Sequence, residues 1–271
     1  VLALVLAALP ALAADKVLLQ VKGKAGDVHR SEATMKLKTE FAGQAFELTM
    51  KSIGKTDVKS VDAQGNLTTE SSIESMEQSM DGEKIEVDPG DYDGVTTMVV
   101  SPRGIVLSQK TTGQVEESGI AFERRLANAQ TLIFSDKPVT VGDKWTYNYP
   151  EDPKTFSKQA TANFELLAFE KIDGNDVAKI KLNFAETTGN PAFISESTAW
   201  ARISDGLVVK IESKIDDIEM TEAGMTMKLS GNITGKLISS TSPNTNNNTT
   251  NQTPNTNQKT IDSEMKDWEK I

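Results

Sequence analysis

Apolar and polar residues alternate along most of the chain from Lys16 to Ser239, a pattern typical of β-strands with one buried and one solvated face. Runs with the spacing of a helix are rare. The alternation predicts strands whose apolar positions are Val17, Leu19 and Val21; Met35 and Leu37; Phe46, Leu48 and Met50; Ala178, Ile180, Leu182 and Phe184; Leu207, Val209 and Ile211; and Met225, Met227, Leu229, Ile233 and Leu237. The sequence therefore predicts a mainly β fold.

Two glycines lie on the apolar face of the last predicted strand. Gly231 and Gly235 share this face with Ile233. A glycine on an inner face leaves room for a sharp bend or for the close approach of another group. We expect the two glycines to curve the sheet.

Turn residues separate the predicted strands, and three of the turns follow a similar pattern. The pattern is an apolar residue, Asp or Ser, a glycine two or three positions later and a second apolar residue, as in Val61-Asp62-x-x-Gly65-x-Leu67, Val100-Ser101-x-x-Gly104-x-Val106 and Ile203-Ser204-x-Gly206-x-Val208. Such turns indicate hairpins and a meander. Either a weak internal repeat or the common needs of any meander accounts for the similarity.

One segment follows a helical period. After Ser118, a candidate N-cap, the residues Phe122, Leu126, Ala129 and Ile133 recur at i, i+4, i+7 and i+11. They form one apolar stripe about four turns long. We therefore expect a curved antiparallel meander or half-barrel with one amphipathic helix on its concave face, where the helix is either core or a lid.

The chain opens on an almost purely apolar run, residues 1–14, which ends in small residues. This length suits the apolar part of a secretory signal peptide and falls short of the roughly 20 residues that a membrane-spanning helix needs. The sequence predicts a signal peptide remnant, a mature chain from near Asp15 that does not span the membrane, and a secreted or periplasmic location. A buried N-terminal strand or helix is the alternative.

The far end of the chain is polar. Residues 240–258 are almost wholly Asn, Thr, Ser, Gln and Pro, which predicts a flexible linker after a single β-rich domain over 15–239. Residues 259–271 then carry a helical stripe at Ile261, Met265, Trp268 and Ile271. Because a helix this short is marginal in water, we expect it to dock on a partner such as an envelope protein or to fold back over the sheet. A loosely ordered tail and the start of another domain are the alternatives.

Composition narrows the class of protein. The chain has no cysteine, so packing rather than disulfides must hold an exported domain, which favours a bacterial origin. The net charge of -10 argues against nucleic acid or an anionic lipid surface as partner, because both repel an acidic protein. Since no lipobox cysteine follows the apolar run, we expect no lipid anchor in this segment.

The residue types that are absent exclude much of catalysis. His29 is the only histidine, so a Cys-His dyad and a multi-histidine zinc site cannot be built. It lies in the polar stretch Lys24 to Arg30, where we expect an exposed surface residue rather than the base of a Ser-His-Asp arrangement. The glycines are scattered at turns and form no phosphate loop. We expect no cofactor and no enzymatic activity; a carboxylate hydrolase is the remaining enzymatic alternative.

One acidic stretch is a weak candidate for calcium. Asp88, Asp91 and Asp93 supply carboxylates, but the spacing lacks the Asp ladder and terminal Glu of an EF-hand. We therefore predict a solvated turn and no metal site.

The segment after the predicted helix carries a recognisable motif. Pro138-Val139-Thr140-Val141-Gly142-Asp143-Lys144-Trp145 resembles a connector found in broad groups of uncharacterised bacterial exported β-rich domains. The overall layout is similar to the half-barrel of periplasmic lipoprotein carriers and related lipid-binding lipoproteins. Independently of that likeness, Pro138 fixes an extended entry, Gly142-Asp143 makes a turn, and Trp145 anchors the next strand in the core.

These patterns lead to one functional expectation and one alternative. We expect an exported, non-enzymatic binding protein that holds a hydrophobic ligand or a lipidated partner on a curved sheet. The candidate ligand-binding residues are Phe46, Met50, Phe122, Leu126, Met225 and Met227. The alternative is a structural or protein-interaction module of the cell envelope with no ligand cavity.

Overall fold

The structure of the protein is a computed structural model. It describes residues 16–243, except 42–43, 89, 91–92, 114–116, 153–156, 189–191 and 223–224. The predicted signal remnant over 1–14, the linker over 240–258 beyond residue 243, and the helix with Ile261, Met265, Trp268 and Ile271 therefore lie outside the described residues.

The described residues form twelve strands and one helix. In chain order these elements are β1 (Val28–Phe41), β2 (Gln44–Val61), β3 (Leu67–Met80), β4 (Glu83–Ile85), β5 (Val95–Val100), β6 (Val106–Thr112), α1 (Glu117–Gln130), β7 (Lys144–Tyr149), β8 (Ala160–Ile172), β9 (Asn175–Glu186), β10 (Ile194–Arg202), β11 (Val208–Glu222) and β12 (Met225–Thr241). The prediction of a mainly β fold with a single helix is confirmed.

All strands belong to one antiparallel sheet. The order across it is β6-β5-β3-β2-β1-β12-β11-β10-β9-β8-β7, and β4 extends β3 off this path. Strands that follow one another in the chain are mostly neighbours, as a meander requires. The exceptions are β4 and β5, which both pair with β3, and β6 and β7, which lie apart because β1 pairs with β12 in the centre of the sheet. This pairing makes β6 and β7 the two edges of an open sheet in the described part of the chain.

The sheet is strongly curved. Neighbouring strands lie about 4.8 Å apart, so the edges of a flat sheet with this path would be about 48 Å apart. Yet Arg124 of α1 donates from Nη1 to Gln109 Oε1 on β6 at 2.7 Å. One helical turn away, the Asn128 carbonyl oxygen accepts a hydrogen bond from Tyr149 Oη on β7 at 3.2 Å. Both edges therefore reach the same helix, as expected for a half-barrel with the helix on its inner side.

The first predicted strand is wrong. Within residues 17–21 only Val17 forms a bridge, to Val139, and the segment joins no named strand. Its backbone instead bonds to turns at one end of the sheet, since Val21 N donates to Pro102 O and Lys22 N to Asp205 O. The apolar alternation arose because Leu19 is buried in the core cluster.

The second and third of the similar turns each place a glycine against the backbone of another segment. Gly104 has φ of 87°, and a Cβ built on it would lie 2.3 Å from the Leu132 carbonyl oxygen. Gly206 has φ of 70°, and its Cβ would lie 2.5 Å from the Gln20 carbonyl oxygen. Each turn therefore requires glycine for two reasons: its backbone is left-handed, and the backbone of another segment passes too close for a side chain.

Gly231 of β12 fulfils the close-approach prediction. It pairs with Leu37 on β1 and with Ile215 on β11. A Cβ built on it would lie 2.0 Å from the Lys36 carbonyl oxygen. The β11 ladder opposite it shifts register between Ile215 and Ile218. At Gly231 the backbones of β1 and β12 therefore approach closely. The irregularity in the neighbouring β11 ladder increases the local twist.

Candidate functional site

The helix covers one half of the inner face of the sheet. It packs against β9, β10 and β11. The buried core there contains Leu126 and Ala129 of α1 and Ile133 just beyond it, with Phe122 packed against its border. The facing strand residues are buried as well, among them Ile180, Leu182, Phe184, Ala199, Ile215 and Ile233. Over this half the sheet and helix close a continuous core.

A buried ion pair fastens the helix to the sheet. Arg125 of α1 donates to both carboxylate oxygens of Glu186 at the end of β9, at 2.7 and 2.8 Å. Its Nη1 donates to the Glu219 carbonyl oxygen at 3.1 Å, and its guanidinium lies 5.8 Å from the ring centroid of Phe193. The exposed fractions of the two side chains are 7% and 1%. Such a bidentate pair fixes the orientation of α1 as well as its position.

The motif after the helix closes the same core. Trp145 donates from Nε1 to the Ile133 carbonyl oxygen at 2.6 Å, and its ring stacks on Phe164 at 5.5 Å between centroids. Gly142 has φ of 91°, and Asp143 accepts from the Thr140 amide at 2.9 Å. The motif therefore has the predicted turn and the predicted aromatic anchor.

The other half of the inner face is not covered in this way. Among the described residues on strands β1 to β6, Leu37 alone belongs to the large core cluster, and Met35 packs at its border. Met35 pairs with buried Ile233 on β12 and with half-buried Met50 on β2, so it marks the boundary between the two halves. We call the half beyond Met35 the open half.

The open half begins with an apolar stripe. On β2 the inward positions Phe46, Leu48 and Met50 are half-buried. On β3, Met76 is half-buried and Met80, opposite Leu48, is 42% exposed. These five residues form a surface that lies beside the closed core and keeps access to solvent. Methionine is well suited to irregular apolar partners because its side chain is flexible and polarisable.

Beyond the stripe the same face is polar and forms a pocket of about 410 Å³. Six hydroxyl-bearing residues line it, and among them Thr56 and Ser71 are hydrogen-bonded at 2.9 Å and Thr96 and Thr111 at 3.1 Å. The other two are Ser31, whose hydroxyl shares their face, and Ser72, whose side chain is on the opposite face of β3. We call this cavity the hydroxyl pocket. Ile73 and Met76 line its side toward the apolar stripe, and Glu123 of α1 reaches it from the helix.

The six predicted ligand-binding residues fall into two groups. Phe46 and Met50 lie together in the open half, whereas Phe122 and Leu126 lie on the helix over the covered half. Met227 is half-buried on β12 opposite Met220, and of Met225 only the backbone is described, paired with Glu222. Their part in binding stays a prediction.

Sequence reasoning missed Met76 and Met80. The alternation on β3 is interrupted because Glu74 has no partner in the ladder, which shifts register between Ile53 and Gly54 of β2. As a result Ile73 and Met76 lie on the same face although they are three residues apart. The density of methionine itself was the one available signal.

Two of the three candidate calcium residues, Asp88 and Asp93, belong to the described part of the chain. Asp91 is not described, Asp88 accepts the Gly90 amide at 2.9 Å, and Asp93 lines the hydroxyl pocket. No group of three metal-ligating side chains occurs among the described residues.

His29 departs from the prediction of an exposed loop residue. It lies in β1, opposite Thr56 on β2, and is half-buried, with Nδ1 at 3.0 Å from Ser240 Oγ. Burial lowers the pKa of its ring, and Arg202 adds to this, while Asp27 and Asp205 oppose it. Its surroundings are a strand ladder and a turn.

Among the described helices, none is long and apolar enough to cross a membrane.

Comparison with known proteins yields a likeness of fold. No family model matches the chain. No curated protein matches it either. Among solved structures, lipovitellin, whose structure is described in terms of lipid–protein interactions, aligns with a TM-score of 0.51 and 8% identity, covering 86% of this chain and 27% of that chain. The chain thus spans 27% of lipovitellin, and the likeness shows the fold alone.

Two bacterial structures align over their whole length with lower scores. One is a candidate exported protein of Bacteroides fragilis with a YmcC-like fold, at a TM-score of 0.38 and 10% identity over 83% of this chain and 100% of that chain. The other is a candidate lipoprotein of Parabacteroides distasonis. It aligns with a TM-score of 0.36 and 12% identity, covering 84% of this chain and 100% of that chain.

Proposed function

We propose that this protein is an extracytoplasmic, non-enzymatic binding protein that holds a hydrophobic ligand on the open half of its curved sheet. One observation carries the proposal. A single sheet face is sealed by a helix over β9 to β11 and left accessible over part of β2 and β3, where it still presents apolar side chains, those of Phe46, Leu48, Met50, Met76 and Met80. A face that served only as core would be covered along its whole width, because each uncovered apolar side chain forfeits burial free energy.

The rigidity of the covered half supports this reading. The Arg125–Glu186 pair and the Trp145 anchor hold α1 and its connector in place. The open half can therefore accept a ligand on a preformed surface, and a preformed surface loses less entropy on binding. The location outside the cytoplasm rests on the apolar run at 1–14 and the absence of cysteine.

The experiment is a pair of measurements on the purified protein. Native mass spectrometry tests for a co-purifying lipid, and titration with an apolar fluorophore tests for saturable binding. The informative variant is Met50→Gln with Met76→Gln, since glutamine has nearly the shape of methionine but resists desolvation. We expect it to weaken fluorophore binding by roughly tenfold, about 1.4 kcal/mol, which is less than the burial of one whole methionine side chain is worth.

Ile53→Gln is the matched control. Ile53 lies on the same strand and is also half-buried, but it faces the opposite side of the sheet. Its replacement should leave the affinity unchanged. If no lipid co-purifies and no saturable binding occurs, the proposal fails and the interaction module is favoured. That module would use the sheet edge β6, where Leu107 is 55% exposed.

A further inference from the structure

The open half changes character along the strands. Inward positions on β2 run from Phe46, Leu48 and Met50 to Ser52, Gly54 and Thr56. At about 3.4 Å per residue, the apolar part is about 14 Å long and the polar part follows it directly. The neighbouring β3 runs from Met80 through Gln78, Met76 and Ile73 to Ser71, so it ends polar at the same side, although Gln78 interrupts its apolar part and donates to Met76 Sδ at 3.4 Å. The surface is therefore apolar at one end and hydrogen-bonding at the other, which is the polarity of an amphiphile.

The polar end offers hydroxyl groups in a fixed arrangement. The pairs Thr56–Ser71 and Thr96–Thr111 each use one donor internally. Every hydroxyl has two acceptor lone pairs, so each pair keeps a donor and acceptors for a ligand. Because the hydroxyls of Ser31, Thr56, Ser71, Thr96 and Thr111 stand on five adjacent strands of the sheet, a ligand would meet them without reorganising the backbone.

The charges around the hydroxyl pocket are mainly negative. Asp93 and Glu123 both line it, and neither has an ion-pair partner in the described part of the chain. Lys55 lines it too, but its Nζ lies 2.9 Å from Asp57 Oδ2, so its charge is offset. Glu123 keeps exposed surface, yet desolvation by the surrounding protein raises the pKa of its carboxyl. An anionic group would be repelled here.

We propose that the hydroxyl pocket binds an uncharged, hydroxyl-bearing headgroup of an amphiphile whose apolar chain lies along Phe46, Leu48 and Met50. This inference rests on the proposed function and names the chemistry of its ligand. Ligand hydroxyls would donate to Asp93 and Glu123 and exchange hydrogen bonds with the serine and threonine side chains. A sugar headgroup fits this set of donors and acceptors, whereas a phosphate headgroup lacks the donors and carries the wrong charge.

The test compares three amphiphiles that share a dodecyl chain. They are dodecyl maltoside, dodecyl trimethylammonium and dodecyl phosphate, each used below its micelle concentration to displace a bound apolar fluorophore from the full chain. We expect the maltoside to displace at the lowest concentration and the phosphate at the highest. Glu123→Gln should improve displacement by the phosphate by roughly fivefold, because it removes a like charge.

Variants then locate the headgroup. Thr56→Val with Ser71→Ala removes two hydroxyls with little change of shape, and each lost hydrogen bond should weaken maltoside binding by roughly fivefold. Thr49→Val is the control, since Thr49 is on the same strand and faces the other side of the sheet. The melting temperature of each variant shows whether it remains folded, and displacement by dodecane, which has no headgroup, reports on the apolar stripe alone.

The outcomes separate this inference from the proposed function. If none of the amphiphiles displaces the fluorophore and the fluorophore itself does not bind, the proposed function fails. If all three displace equally, or the Thr56 and Ser71 variant binds maltoside as the parent protein does, the headgroup assignment is overturned and the apolar ligand remains. Tightest binding of the trimethylammonium or of the phosphate compound also overturns it.

Discussion

Arg125 and Glu186 form a bidentate ion pair that is almost completely removed from solvent, and it joins the helix to the end of β9. Replacing one partner leaves an uncompensated charge in the interior. We therefore expect Arg125→Met to lower the free energy of unfolding by about 3–5 kcal/mol, measured by urea denaturation. The double variant Arg125→Met with Glu186→Leu should recover most of that loss. Equal stability of the single and double variants would contradict this account.

An exposed ion pair provides the comparison. Lys171 Nζ lies 2.6 Å from Asp176 Oδ1, but the two side chains are 71% and 68% exposed. Lys171→Met should change the free energy of unfolding by less than about 1 kcal/mol, because water screens the attraction.

The turn glycines separate backbone strain from steric clash. Gly174 and Gly206 both have positive φ, at 78° and 70°, but a Cβ on Gly174 meets open space while one on Gly206 would lie 2.5 Å from the Gln20 carbonyl oxygen. Gly174→Ala should cost about 1–2 kcal/mol for its left-handed backbone alone. Gly206→Ala should cost clearly more and should also increase hydrogen exchange at Val21 and Lys22. Similar losses in both variants would show that the crossing segment yields easily.

Tyr149 links stability to alkaline pH. Burial raises the pKa of its phenol well above the usual value of 10.0, and its hydroxyl donates to the Asn128 carbonyl oxygen. The folded protein therefore keeps a proton that the unfolded chain loses above pH 10. Stability should fall as the pH rises past 10, at up to about 1.4 kcal/mol per pH unit. Tyr149→Phe should lose this slope at a cost of about 1 kcal/mol for the hydrogen bond.

His29 links the stability of the protein to acidic pH. Burial lowers the pKa of its ring below 6.5, so the unfolded chain binds a proton before the folded protein does. Stability should therefore fall as the pH drops below 6.5, and His29→Gln should remove this part of the acid sensitivity. Because it is the only histidine, its ring protons give an isolated signal in NMR titration. A measured pKa at or above 6.5 would contradict the assignment.

The strands with one sealed face were predictable. On β9 the residues Ala178, Ile180, Leu182 and Phe184 are buried beneath the helix, and the polar residues between them face the other way. Alternation in the sequence records this difference between the two environments. The prediction therefore succeeded where the core is closed.

In the open half the alternation of apolar and polar residues is weaker. On β3 the inward positions include Ser71, and those on the opposite face include Ser72 and Ser75, so both faces read as polar. Glu74, which has no partner on β2 in the ladder, then breaks the period of two. A face that stays accessible does not have to be apolar throughout, and hydropathy therefore cannot outline it.

Arg125 shows a limit of another kind. It lies three residues after Phe122 and four before Ala129, on the side of the apolar stripe. That position puts its charge on the inward side of the helix, where its partner is Glu186, far along the chain and at the end of a strand. Spacing reports which way a side chain points, whereas the partner depends on the pairing of distant strands.

The meeting of β1 with β12 has a consequence for how the chain reaches its native state. The ladder from Val28 and Thr241 to Lys38 and Ser230 joins the beginning and the end of the described chain in the middle of the sheet, whereas β6 and β7 are linked only through the connector that carries α1. Closing that ladder requires a loop of about 190 residues, counted from Lys38 to Ser230, which makes it a late and slow step of folding. By the same logic a single backbone cut in the connector should leave two fragments that still recognise each other through this ladder.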